Sequence, residues 1–344
     1  MAFSELTKDR LGRFRKTRRA WWSFCLLGTA FVLSLGAEFL ANDRPLFLRY
    51  HGSVYFPVLR FHPATEFGGA YGTMADYKAL HKDPEFKSGG GFMIFPPIPH
   101  GPLRTYLDLE GNPPHAPSRD HWLGTDNSAR DVLARLIYGF RICMVFALLL
   151  ALADAILGIV IGGIQGYLGG KVDITLQRLI EVWSALPFLY VVILLGSVYG
   201  RSFMLLLVIM AAFQWVGLSY YMRGEFFKLK TLAYVKAARA LGLGHVSIFF
   251  RHILPNALTP VISILPFTVV SGISALTALD FLGFGLPPPI PSWGEMLQQG
   301  LENLQSPWIA ISAVSALFFT LLLSTFIGEG VREAFDPKSF QRME

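Results

Sequence analysis

Cysteine is almost absent. The 344 residues hold two, Cys25 and Cys143, and both lie inside apolar runs, so no disulfide framework supports the chain. Charge is scarce as well: Asp, Glu, Lys and Arg make up 16% of the residues, against about 25% in an ordinary soluble domain. Hydrophobic residues reach 53% and the mean hydropathy is +0.45, a balance that excludes a water-soluble enzyme. Motifs that carry chemistry are missing too: no H-E-x-x-H, G-x-S-x-G or C-x-x-C occurs. The nearest approach to a phosphate-binding loop is Gly170-Lys171-Val172. It lacks both the Ser/Thr after the lysine and the glycine five residues before Gly170. No enzymatic activity, cofactor or metal is expected of this chain.

What the chain has instead is long apolar runs. A helix crosses a bilayer with about 20 mostly apolar residues, because every backbone polar group must be satisfied within the segment. Six runs qualify: 20–41, 142–164, 179–200, 203–222, 258–279 and 308–328. The expected fold class is therefore an all-α, multi-pass membrane protein. The third and fourth runs meet at Tyr199-Gly200-Arg201-Ser202, which predicts a helical hairpin, and Pro187 and Pro266 are expected to kink their helices. The first run is longer than a signal-peptide core and has no small-x-small cleavage site before Asn42, so it reads as an uncleaved span. The net charge of +6 belongs to loops that flank these runs and not to a nucleic-acid surface. Segments 1–19, 165–178, 223–257 and 329–344 carry 18 of the 30 basic residues, whereas 280–307 has none. Positive charge gathers on the cytoplasmic side, which predicts cytoplasmic termini and a 42–141 segment outside. Trp21, Trp22, Trp293 and Trp308 fall at the expected membrane interfaces.

Residues 42–120 form one polar insertion punctuated by Gly89-Gly90-Gly91, Pro96-Pro97 and Pro113-Pro114, which argues against long helices. Six of the eight histidines fall between His51 and His121. Their offsets are irregular, unlike a metal motif, so they read as surface histidines of a cap or docking surface.

The segment 223–257 is the most informative. Thr231 is placed to cap a helix over 232–241, and Gly242 and Gly244 stop it. A second short helix over 245–253 sets Val246, Phe249, Phe250 and Ile253 on one face, and Leu254-Pro255 ends it before the fifth run. Two short helices at an angle make a rigid knob, or else an amphipathic strap lying on the headgroups. The stretch from Tyr234 through Lys236-Ala237-Ala238 to Gly242, then His252-Ile-Leu254-Pro255, resembles the EAA loop of ABC-importer permeases, with Lys236 and His252 departing from the usual residues. Three further stretches resemble the oligopeptide and dipeptide permeases of that family. They are Leu123-Gly-Thr-Asp126 with Arg130 to Gly139, Phe281 to Gly285 with Pro291 to Leu297, and Val331 to Pro337. One departure is Ala129, where the family usually has glycine. The insertion, with Asn42-Asp-Arg-Pro45 and the Tyr50–His62 run, is similar to the branch that imports peptides and microcin C.

The resemblance implies a type I ABC-importer permease fold in a bacterial inner membrane. Tyr234, Ala237, Ala238, Gly242, Leu254 and Pro255 would then dock on a separate ATPase subunit. It also implies a homologous second permease, a periplasmic peptide-binding protein and a peptide substrate.

Inside the spans, Asp154 is the acid at mid-membrane depth. An acid there faces a partner helix or a watery cavity, so it either contacts a cationic or zwitterionic peptide or fixes helix packing. Gln214, Trp215 and Gln165 are weaker candidates for the path, since polar groups in spans also glue helices together. Two other readings stay open: a proton-coupled secondary transporter using Asp154, and a membrane scaffold whose function lies in the insertion.

Overall fold

A computed structural model describes residues 5–335; the last residues of the 329–344 segment, including Pro337, lie outside them. The chain opens with α1 (Glu5–Lys16), α2 (Arg18–Leu35) and α3 (Ala37–Leu40). The insertion follows, with β1 (Phe47–Tyr50), β2 (Ser53–Tyr55), α4 (Tyr77–Lys82), α5 (Pro84–Ser88) and β3 (Phe92–Ile94). The helical core comprises α6 (Val132–Leu168), α7 (Gly170–Ser184), α8 (Phe188–Tyr199), α9 (Phe203–Leu229), α10 (Ala233–Ala240), α11 (His245–Ser247), α12 (Leu254–Phe281), α13 (Trp293–Glu302) and α14 (Pro307–Phe335). Side-chain caps fix several starts: the Asp131 carboxylate accepts from Ala134 N at 2.8 Å and the Ser202 hydroxyl from Leu205 N at 3.2 Å.

Among the described residues, four continuous helices are long and apolar enough to cross a membrane: α6, α9, the stretch from His245 to the end of α12, and α14. The third expected run is not one rod. It breaks at Pro187, and α7 and α8 meet at 69°, so they count as a fifth span only if the bent pair is one. Pro187 has no N–H to continue α7, and α8 begins directly after it. Pro266, in contrast, lies inside the unbroken α12. The first expected run is helical only to Leu35, pauses at Gly36 and resumes as α3; its helix α2 begins on two arginines and falls short of the other spans in apolar length. The predicted hairpin is present, with Gly200 at φ +77° between α8 and α9.

The main core joins Phe146, Leu150, Met210, Leu276, Trp293, Met296 and Ile309 from α6, α9, α12, α13 and α14. Trp293 is therefore no interface anchor. It is 1% exposed, its indole N–H donates to Leu136 O at 3.1 Å, and its ring stacks on Phe140. In the insertion, the strands pair antiparallel in the order β2-β1-β3, with Leu48 opposite both Tyr55 and Met93. Leu48, Phe67, Tyr77, Phe86 and Met93 make a small core of its own. Not all the histidines are at the surface: His100 and His121 are each only 4% exposed. The sequence offered no sign of this because their spacing is that of residues brought together by the fold.

Candidate functional site

The knob forms, with changes. Its first helix is α10, and Leu232, not Thr231, takes the cap position; the Thr231 hydroxyl instead donates back to Lys228 O at 2.8 Å. Val235 and Ala238 are the buried side of α10, while Ala237 and Gly242 face outward. Gly242 has φ +78° with open space where a Cβ would stand, so backbone conformation and not crowding calls for glycine. Tyr234 is 38% exposed, and its hydroxyl accepts from Asn256 Nδ2 at 3.3 Å, tying α10 to the start of α12. The second helix does not end at Leu254-Pro255. A π-helical stretch, Ile248–Ile253, runs straight into α12, with Pro255 in the first turn where its missing N–H costs nothing. Nor is its apolar face uniform: Ile248 and Ile253 are buried, Phe249 is half-buried, and Val246 and Phe250 are 73% and 59% exposed. A turn of π-helix advances each residue by less than 100°, which shifts the face away from the α-helical pattern. Leu254 is half-buried and Pro255 exposed.

The base of the knob is fastened to the end of α6. Lys230 Nζ donates to Gly166 O at 2.6 Å and Tyr167 O at 3.3 Å, closing the last carbonyls of that helix. The Tyr167 hydroxyl meets His245 Nδ1 at 2.9 Å, and Phe249 packs on Tyr167 and Phe226. From there α6 lies tightly along α9. Gly158, Gly162 and Gly166 form a small-residue stripe: a Cβ on Gly158 would stand 2.8 Å from Leu218 Cβ, and one on Gly162 would meet Ser219 O and stand 2.9 Å from Met222 Cβ. One on Gly166 would stand 2.5 Å from Phe226 Cβ. Such stripes let helix backbones approach closely.

The two helices run parallel in a constant register, Gly158 to Leu218, Gly162 to Met222 and Gly166 to Phe226. Carried one turn back, that register sets Gln214 level with Asp154. Asp154 is 5% exposed, and its Oδ1 is buried with no hydrogen-bond partner among the described residues. Gln214 and Trp215 are half-buried; the Trp215 indole N–H donates to Ala212 O at 2.7 Å, within its own helix. Gln165 is fully buried with both amide atoms unpaired.

Ion pairs that sequence reading missed brace the two ends of the bundle. Arg135, fully buried, donates to Glu295 Oε2 at 2.5 Å and lies 3.4 Å from Asp126 Oδ2. Arg130 bridges Asp126 and Glu295 at 2.8 and 2.9 Å. Asp280 accepts from Leu286 N at 2.6 Å and from the Ser292 hydroxyl at 2.5 Å, folding back the loop after α12. At the knob end Arg223 grips both oxygens of Asp173, at 2.5 and 2.7 Å. The stretches around Asp126 and Pro291 to Leu297 stood out as motifs, yet nothing in their spacing paired them, since the partners lie more than a hundred residues apart.

A bundle of membrane helices carrying an exposed knob, rigidly joined to the helix pair that holds a buried acid, defines a membrane transport subunit. The chain belongs to the inner membrane components of binding-protein-dependent transport systems, whose family model matches residues 158–341. It is 45% identical to the inner membrane ABC transporter permease protein YejE of Escherichia coli, over 97% of this chain and 98% of that one. It is 43% identical to the peptidoglycan transport system permease protein YejE of Agrobacterium fabrum, over 98% and 94% of the two chains. The dipeptide transport system permease protein DppC of Bacillus subtilis is 36% identical over 70% of this chain and 75% of its own. The fold is the type I importer permease fold of this family, and nothing in that membership supports the proton-coupled carrier.

Proposed function

We propose that this chain is the membrane subunit of an ATP-driven importer of peptides, the microcin C type among them, in a bacterial inner membrane. α2 with α3, α6, the bent pair α7 and α8, α9, α12 and α14 are its six spans, with both termini in the cytoplasm and the insertion in the periplasm. The observation that carries the reading is the knob. Val235, Ala238, Ile248 and Ile253 anchor it, and its outer surface is left to a partner. That partner is an ATPase subunit, which hydrolyses the ATP. Tyr234, Ala237, Gly242 and Pro255 lie toward it, while Ala238 and Leu254 hold the shape of the knob. Closure of the ATPases would push on α10, and Lys230 and Tyr167 would pass the movement to α6 and, through the glycine stripe, to α9. The bundle would then switch between two packings.

A second, homologous permease completes the pathway, and a periplasmic binding protein delivers the peptide. Support for the substrate comes from the relatives, which include a dipeptide and a peptidoglycan system. Asp154, Gln214 and Trp215 are assigned to the path. The test is copurification in mild detergent through a C-terminal tag. A second six-span chain and a soluble chain with a Walker A loop are expected. Gly242→Asp is expected to reach the membrane yet lose the ATPase, and normal copurification of that variant would overturn the docking role. A chain that purifies alone and transports without ATP would overturn the whole reading.

A further inference from the structure

The insertion buries a cluster that the transport reading does not use. The rings of His100 and His121 lie side by side, centroids 4.2 Å apart, and Asp131, 1% exposed, stands beside them. One donor atom from each of the three lies within 4.8 Å of the other two. They line a cavity of about 610 Å³, together with Lys78, Arg104, Tyr106 and Trp122.

Hydrogen bonding settles the form of each group. His100 Nε2 lies 2.7 Å from Asp120 O, and only a ring N–H can donate to a carbonyl, so the proton sits there. Its Nδ1 lone pair therefore accepts, from the Tyr106 hydroxyl at 2.8 Å and from Lys78 Nζ at 3.1 Å. A ring facing the Lys78 ammonium through Nδ1 is neutral, with its lone pair in the place a metal would take. His121 Nδ1 lies 2.8 Å from Asp131 Oδ2. A metal would replace the proton shared between these two atoms, taking both as ligands. Asp131 Oδ1 meanwhile caps α6.

Two imidazole nitrogens and a carboxylate are the protein ligands of an open zinc site. The Lys78 ammonium already rests on the His100 lone pair that a metal would use.

We propose that His100, His121 and Asp131 form a binding site for a divalent transition metal, Zn²⁺ in the first place, with Lys78 as the resident cation that the metal displaces. Such a site would pin the insertion to the first turn of α6. The sequence concealed it because the ligands lie on three separate segments with no motif spacing.

The experiment takes the full chain in its detergent-extracted complex, strips it with chelator, and titrates it with Zn²⁺ by equilibrium dialysis, with Co²⁺ absorption as a second readout. One tight Zn²⁺ per chain is expected. His100→Ala and His121→Ala should each weaken binding at least about tenfold, and Asp131→Asn should weaken it while keeping the α6 cap. Lys78→Met should tighten binding severalfold, a gain that misfolding cannot produce. Stoichiometric binding that His121→Ala leaves unchanged, absence of binding above that of the His100→Ala, His121→Ala double variant, or equal affinity in Lys78→Met and the parent would each overturn the proposal.

Discussion

Ala129 sits at φ +53° and is 1% exposed. The left-handed region costs an L-residue about 1–2 kcal/mol, part of which a glycine would give back through the flexibility it adds to the unfolded chain. Ala129→Gly is therefore expected to stabilise the protein by several tenths to about 1 kcal/mol, read as a higher melting temperature in detergent. The departure noted in the sequence is thus a strained position, and only the backbone angle shows it. Asp154 makes a second prediction at this scale. Its unpaired Oδ1 has no structural partner to lose, so Asp154→Asn should leave assembly intact and lower peptide uptake severalfold. Wild-type uptake by that variant would remove Asp154 from the path. In the sequence only polarity marks Gln214 and Trp215, and the register with α6 is what sets Gln214 at the level of Asp154.

The pairing of α6 with α9 governs the next scale. Overpacking an interior costs about 1–3 kcal/mol, and at Gly162 the added Cβ would meet backbone, which cannot move aside as a side chain can. Gly162→Leu should destabilise by about 3 kcal/mol and lower the yield of folded protein, whereas Gly217→Ala, on the same stretch of α9 with nothing within 4 Å, should be tolerated. The comparison checks the parallel register, since both changes add apolar volume to a span. The runs of 142–164, 203–222 and 258–279 were legible in the sequence because hydropathy is a local property. Their true ends were less so. α6 begins at Val132, where Asp131 caps it, and the π-helical stretch that joins the knob to α12 has no local signature.

Across the molecule, the ends of the bundle are held by charges drawn from distant segments. Arg135 is fully buried, and Glu295, with its side chain 20% exposed, is its hydrogen-bonded counter-ion. Removing one partner of a buried pair costs about 3–5 kcal/mol because the other charge is left stranded. Glu295→Ala should accordingly lower stability by about 3 kcal/mol, measured by thermal unfolding in detergent. Arg19 and Glu329, 3.2 Å apart at the exposed end of α2 and α14, form the opposite case. A solvent-exposed pair is worth about 0–1 kcal/mol, so Glu329→Gln should change the melting temperature little.

The sequence alone determined the membrane class, most of the long apolar helices and the existence of a knob with glycine at 242. Each of these rests on hydropathy or backbone preference within a few neighbouring residues. The tertiary structure alone decided that His100 and His121 touch, that Arg135 finds Glu295, that Trp293 is core and not interface, and that the third run bends at Pro187. Partners far apart in sequence leave no periodicity behind. They meet only when the folded chain closes the loop between them and burial makes an unpaired charge or ring nitrogen too costly to leave alone.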